Sequence, residues 1–168
     1  MEVASIPLNS VQQLCQQVLD GLPFPGSSTA LKAQITPPMI QNLNGPVAFV
    51  WGGTLGVDRQ TGPRGDPGKA GFKRLRWDVD VWLIMMTNPN NALIDQQFPL
   101  LLDAVMAAFW STEMPRDITD PTTQLETQIL SIGEDFRMVY SPVHAPQTQR
   151  MLYYEAHLSL SVYEAVQA

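Results

Sequence analysis

At 168 residues, with 45% hydrophobic and 15% charged side chains, the chain has the composition of a globular domain that buries roughly two-thirds of its unfolded surface, not that of a disordered segment. A net charge of -6 argues against a general nucleic-acid binder, which draws affinity from an excess of Lys and Arg. A single cysteine, Cys15, excludes an internal disulfide and a cysteine-based zinc cluster.

The first residues, MEVASIPLNS, have no basic stretch followed by an apolar run, and the longest apolar runs, VWLIMM and AVMAAFW, are too short to span a bilayer. The expectation is a protein neither exported by a visible signal nor inserted in a membrane. SVQQLCQQVLDG places Val11, Leu14, Cys15, Val18 and Leu19 on one face. With Ser10 as candidate N-cap and Gly21 before Pro23 as the stop, it predicts a helix over about 10–20. Cys15 lies on the apolar stripe, the position of a small core side chain rather than a nucleophile. Residues 22–45 read as a long connection in which ALKAQI can form a short strand, and PVAFVWGG (46–53) reads as a strand stopped by paired glycines.

The stretch TGPRGDPGKAG (61–71) contains three Gly-X-Y triplets, an Arg-Gly-Asp tripeptide and a Gly-Lys pair. A phosphate-binding loop needs glycine five residues before Gly68, where Pro63 stands, and a hydroxyl after Lys69, where Ala70 stands. Three triplets are too few for a collagen helix, and nothing else marks the chain as secreted. Alternating Gly and Pro defeats helix and interior strand, so residues of about 53–71 are expected to form a long, extended arm between two strands. The charge there is distinctive. Between Asp58 and Arg76 six basic residues (Arg59, Arg64, Lys69, Lys73, Arg74, Arg76) face only two acidic ones, making this segment +4 and the remainder -10.

FKRLRWDVDVWLIMM alternates with period two. Leu75, Trp77, Val79, Val81, Leu83 and Met85 point one way and Arg76, Asp78 and Asp80 the other, until Trp82 and Ile84 bury the second face as well. Phe98, Leu101, Leu102, Val105, Met106 and Phe109 recur at helical spacing. Because Pro99 suits a first turn, the helix is expected over about 98–112 with residues 92–97 as a lead-in. MPRDITDPTTQ reads as a loop. TQILSIG, EDFRMVY and MLYYEAHLSLSVYEA follow as strands within about 127–165; the last has Leu152, Tyr154, Ala156, Leu158, Leu160 and Val162 on an apolar face and polar residues on a wet one. The expected fold is α+β: one domain over 1–168, with two helices on one face of a mainly antiparallel four- to five-stranded sheet.

Catalytic chemistry is thinly represented. His144 lies between prolines in SPVHAP, His157 projects from the wet face of the last strand, and the serines lack a nucleophile elbow. Asp78 and Asp80, two apart on one strand face, can hold a cation or share a proton, or, beside Arg74 and Arg76, make cross-strand charge pairs, and the last reading is favoured. No catalytic residue, metal or cofactor is assigned. The enzyme alternative rests on Asp78, Asp80 and His157.

The order of the helix FPLLLDAVMAAFW, the loop DITDPTTQ, the strand QILSIGEDFRMVY and the closing strand from Met151 to Ala165 resembles phage tail-terminator and tail-completion proteins. The resemblance runs back through WDVDVWLIMM to QQLCQQVLDGL and rests on pattern, length and element order. It implies a structural virion protein at the head-to-tail junction, assembled in the host cytoplasm. Such a protein forms a homo-oligomeric ring, commonly of six subunits, that caps the tail tube and meets a neck protein on its other face. A stopper or adaptor of the neck is the alternative. Trp51, Trp82, Tyr153 and Tyr163 are candidate interface aromatics. The six basic residues of the arm are candidates for contact with the acidic body of a neighbour. The competing reading points Arg64, Lys69 and Lys73 at DNA passing through the channel; specific binding there would retard transit.

Overall fold

The computed structural model describes residues 8–24, 29–38, 45–58, 72–86, 94–119, 124, 126–148 and 151–167. Its elements are α1 (Leu8–Leu19), β1 (Lys32–Gln34), β2 (Val47–Asp58), β3 (Phe72–Met86), α2 (Ile94–Ser111), β4 (Arg116–Thr119), β5 (Glu126–His144) and β6 (Met151–Gln167). One six-stranded sheet runs in the order β1-β2-β3-β6-β5-β4. The α+β class is as expected, but the sheet is mixed: β1 pairs with β2 in parallel, while the other neighbours are antiparallel.

The two additional strands are the edges. ALKAQI supplies β1, too short to show a period by itself and held by the Lys32↔Val47 to Gln34↔Phe49 register. At the other edge β4 lies inside the stretch read as a loop, its backbone paired to β5 from Arg116↔Ile129 to Thr119↔Glu126. Proline and cap-type residues around RDIT hid a strand that exists only because β5 offers it an edge.

Both helices lie over one face. Val11, Leu14, Cys15 and Leu19 of α1 and Phe98, Leu101, Leu102, Val105 and Phe109 of α2 join a single buried cluster with Trp77, Val79, Val81 and Leu83 of β3 and Ala156, Leu158, Leu160 and Val162 of β6. We call this the inner face. α1 starts two residues before the expected Ser10 cap, so Ser10 is helical. The helix ends as expected, with Gly21 at φ 75°, the left-handed conformation that glycine supplies without a Cβ clash. Polar ties fix it over β1: Gln16 Nε2 donates to the Ala33 carbonyl (3.1 Å), and Asp20 Oδ1 accepts from the Ala33 amide (3.0 Å).

α2 begins at Ile94, not Phe98, and so contains Pro99. Proline removes the amide that would reach the Asp95 carbonyl one turn earlier, a defect that falls close to the helix start, where few such bonds exist to be lost. TQILSIG and EDFRMVY are not two strands. They are the halves of the 19-residue β5, and Gly133 (φ 80°) and Asp135 (φ 50°) accompany register shifts against β6 between Ile132 and Arg137. At Gly133 a Cβ would lie 3.2 Å from the Cβ of Phe109. The missing side chain is what lets α2 approach the sheet.

β2 continues to Asp58, so residues 53–58 of the expected arm are strand, paired from Leu55↔Trp77 to Asp58↔Arg74 after an irregularity at Gly52. The connection to β3 is correspondingly shorter than 53–71. Residues 59–71, with Arg59, Arg64 and Lys69, lie outside the described residues.

Candidate functional site

The outer face of the sheet, opposite the helices, holds the polar and aromatic residues of interest. Cross-strand partners share a face, so the registers lay out its rows: Trp51, Asp80, Ser159 and Arg137; then Phe49, Trp82, His157 and Val139; then Val47, Ile84, Glu155 and Ser141. The face is not uniformly wet. Ile84, Phe49 and Val47 are buried on it, in keeping with the two-faced apolar run expected at the end of β3.

One cluster is a closed polar network. Arg76 Nε donates to Asp78 Oδ1 (2.8 Å), and Arg76 Nη1 lies 3.4 Å from Asp135 Oδ2. Ser161, buried between them, donates to Asp78 Oδ1 (2.9 Å). The hydrogen bond to Asp78 raises the Arg76 guanidinium above its ordinary pKa. Arg76, on β3, thus belongs to an ion-pair network of its own chain. The network corrects the expectation of a cross-strand charge pair, since Asp78 pairs along its own strand while its cross-strand partner is a serine hydroxyl. Lys73 and Arg74 lie on the first residues of β3; their side chains are outside the described set.

The second cluster is an aromatic groove of about 610 Å³ bordered by Phe49, Trp51, Asp80, Trp82 and His157. Trp51 is 62% exposed and meets Phe49 edge-on, with ring centroids 5.7 Å apart. Trp82 is held on two sides. Its ring stacks on the His157 imidazole (5.9 Å, 12°), and its Nε1 donates to Glu155 Oε2 (3.1 Å), which also lies 3.7 Å from His157 Nε2. Asp80 Oδ1 accepts from the Ser159 hydroxyl (2.6 Å).

Of the four aromatics singled out from the sequence, Trp51 and Trp82 therefore meet in one groove, Tyr153 is half-buried, and Tyr163 is only 8% exposed. Period-two alternation placed Tyr163 on the wet face but could not show that this end of the face is covered. Burial raises the Tyr153 phenol's pKa, with the nearby Glu155 charge adding to it. Sequence reasoning missed Trp110, 66% exposed on α2 and edge-on to Phe136 (6.2 Å), because it directly follows Phe109 of the core stripe. It missed Tyr140 as well, which is exposed near Phe98.

The residues of the enzyme alternative separate. Asp78 is engaged by Arg76 and Ser161, while Asp80 and His157 border the groove. His144 is exposed at the end of β5, paired with Met151. Cys15 is buried on the inner face, and burial pushes its thiol up to about 12. Among the described residues no three His, Cys, Asp or Glu side chains group to hold a metal ion, and no helix is long and apolar enough to cross a membrane. A second, polar cleft of about 200 Å³ lies between α1 and β4, lined by Gln13, Gln17, Arg116, Asp117 and Thr119.

No protein-family model matches the chain, and no curated protein matches it.

Proposed function

We propose that the chain is a tail terminator: a structural virion protein whose copies form a hexameric ring at the head-to-tail junction, cap the tail tube, stop its polymerisation and join it to the neck. The observation that carries this reading is the outer face of the sheet. Helices and core occupy the other side, while Trp51, Trp82, His157 and Val139 make an aromatic and apolar band across β2, β3, β6 and β5. Aromatic side chains presented beside charged ones are the composition of a protein contact. The resemblance in element order supplies the assembly, and the split between a basic segment and an acidic remainder suits heterologous contacts repeated around a rotation axis. DNA passes the channel without specific binding, and no catalysis is assigned.

The test is addition of the purified chain to growing tubes of the tail-tube protein encoded with it, followed by electron microscopy. Tubes capped by a ring at one end, and of arrested length, are expected. Tubes that elongate unaffected and carry no ring overturn the reading.

A further inference from the structure

We infer that the groove between Trp51 and Trp82 is a receptor for an organic cation, and that its occupant is a Lys or Arg side chain from the 59–74 segment of a second copy of this chain. The inference rests on the ring reading for its choice of partner and on the groove itself for its chemistry.

A cation is recognised by aromatic rings together with a carboxylate that is free to pair. Trp51 and Phe49 border the groove from β2, and Trp82 and Asp80 border it from β3. A volume of about 610 Å³ admits a long side chain. Trp82 is held in place by the His157 stack and by Glu155, so its ring position does not depend on a ligand. Asp80 is exposed, and only its Oδ1 is taken, by Ser159; among the described residues nothing donates to its Oδ2. Asp78, two residues away, differs in that its charge is already matched by Arg76.

Charge selects the occupant. The segment from Asp58 to Arg76 carries six basic and two acidic residues in a chain of net charge -6. Arg76 is already paired with Asp78 and Asp135, which leaves Arg59, Arg64, Lys69, Lys73 and Arg74 as the source of cations. The Asp58↔Arg74 pair lies seven residues along β2 from Trp51↔Asp80, roughly 23 Å at the rise of a strand. The described ends of the basic segment, Asp58 and Arg74, thus lie away from the groove of their own sheet, and the choice of a second copy follows from the head-to-tail contacts of a ring.

The experiment follows the indole Nε1–H signals of Trp51 and Trp82 in the full chain by NMR, over a range of protein concentration and with an added peptide of residues 59–71. Light scattering measures assembly of the wild type, of Asp80→Asn, of Trp51→Ala and of a variant with Arg59, Arg64 and Lys69 all changed to Gln. Asp80→Asn keeps the acceptor for Ser159 while removing the charge, and circular dichroism checks that each variant is folded. The expected result is a saturable, salt-sensitive shift of both indoles that weakens at least tenfold in Asp80→Asn, and a Trp82 shift that weakens at least tenfold in Trp51→Ala, with a comparable loss of assembly in all three variants.

If the wild type forms rings and the variants assemble as well as it does, the inference fails and the ring reading stands. Indole shifts that are independent of concentration but lost in the Gln variant mean a contact within one chain, which overturns the second copy as occupant. If no ring forms at all, the ring reading fails and the peptide titration decides: an Asp80-dependent shift upholds the cation receptor, and its absence overturns it.

Discussion

Trp77 and Trp82 stand five residues apart on β3 and therefore on opposite faces of the sheet. Each donates its indole N–H to a glutamate on β6, Trp77 to Glu164 (2.8 Å) and Trp82 to Glu155 (3.1 Å). The bonds match, and the surroundings do not. Trp77 and Glu164 are buried among the inner-face core, Glu164 at 0% exposure, while Trp82 and Glu155 are half-buried at the edge of the groove. The same diagonal pair across a ladder is a core element on one face and borders an open groove on the other. Burial, not pairing chemistry, sets what it does.

The comparison breaks most directly by removing each indole. Trp77→Ala should cost about 3–5 kcal/mol of folding stability, through the cavity and the loss of the indole hydrogen bond to the buried Glu164 carboxylate. Trp82→Ala, whose site is open to water, should cost about 1 kcal/mol. Urea unfolding measures both, and equal losses would mean the two faces are energetically alike. A smaller probe of the inner face is Gly133→Ala. A side chain there meets both a φ of 80° and Phe109 at 3.2 Å, so a loss of about 1–3 kcal/mol is expected; Asp80→Asn on the outer face should leave the same thermal midpoint unchanged.

The smallest effect is in pH. The Cys15 thiol ionises near its ordinary value of 9.0 when unfolded and only at about 12 when folded. The folded state thus holds its proton longer. This contribution is whole below pH 9 and is lost as pH rises from 9 towards 12, by up to about 1.4 kcal/mol per pH unit. The stability difference between the wild type and Cys15→Ala, followed by urea unfolding from pH 7 to 11, should be constant up to about pH 9 and then shift against the wild type. A flat difference throughout would mean that the thiol is not held in the core.

Much of the scaffold was legible because periodicity reports burial. The α1 stripe, the whole extent of β3 and the apolar row of β6 all follow from repeats of 3.6 or 2. The edges were only partly legible: ALKAQI was read as a possible short strand and supplies β1, while β4, four residues long and a strand only through its neighbour, was read as loop. The groove was half visible. Trp51 and Trp82 were singled out by residue type, but nothing in their separation of 31 positions puts them beside one another; the Phe49↔Trp82 register does.

By itself the sequence determined which residues leave water and which segment carries positive charge, because both are properties of side chains in order along the chain. Tertiary structure decided the rest. Register set Ser161 beside Asp78 and Ser159 beside Asp80 and drew the candidate interface tryptophans to one groove. Register is a relation between segments far apart in sequence, set by how both faces of the sheet pack at once.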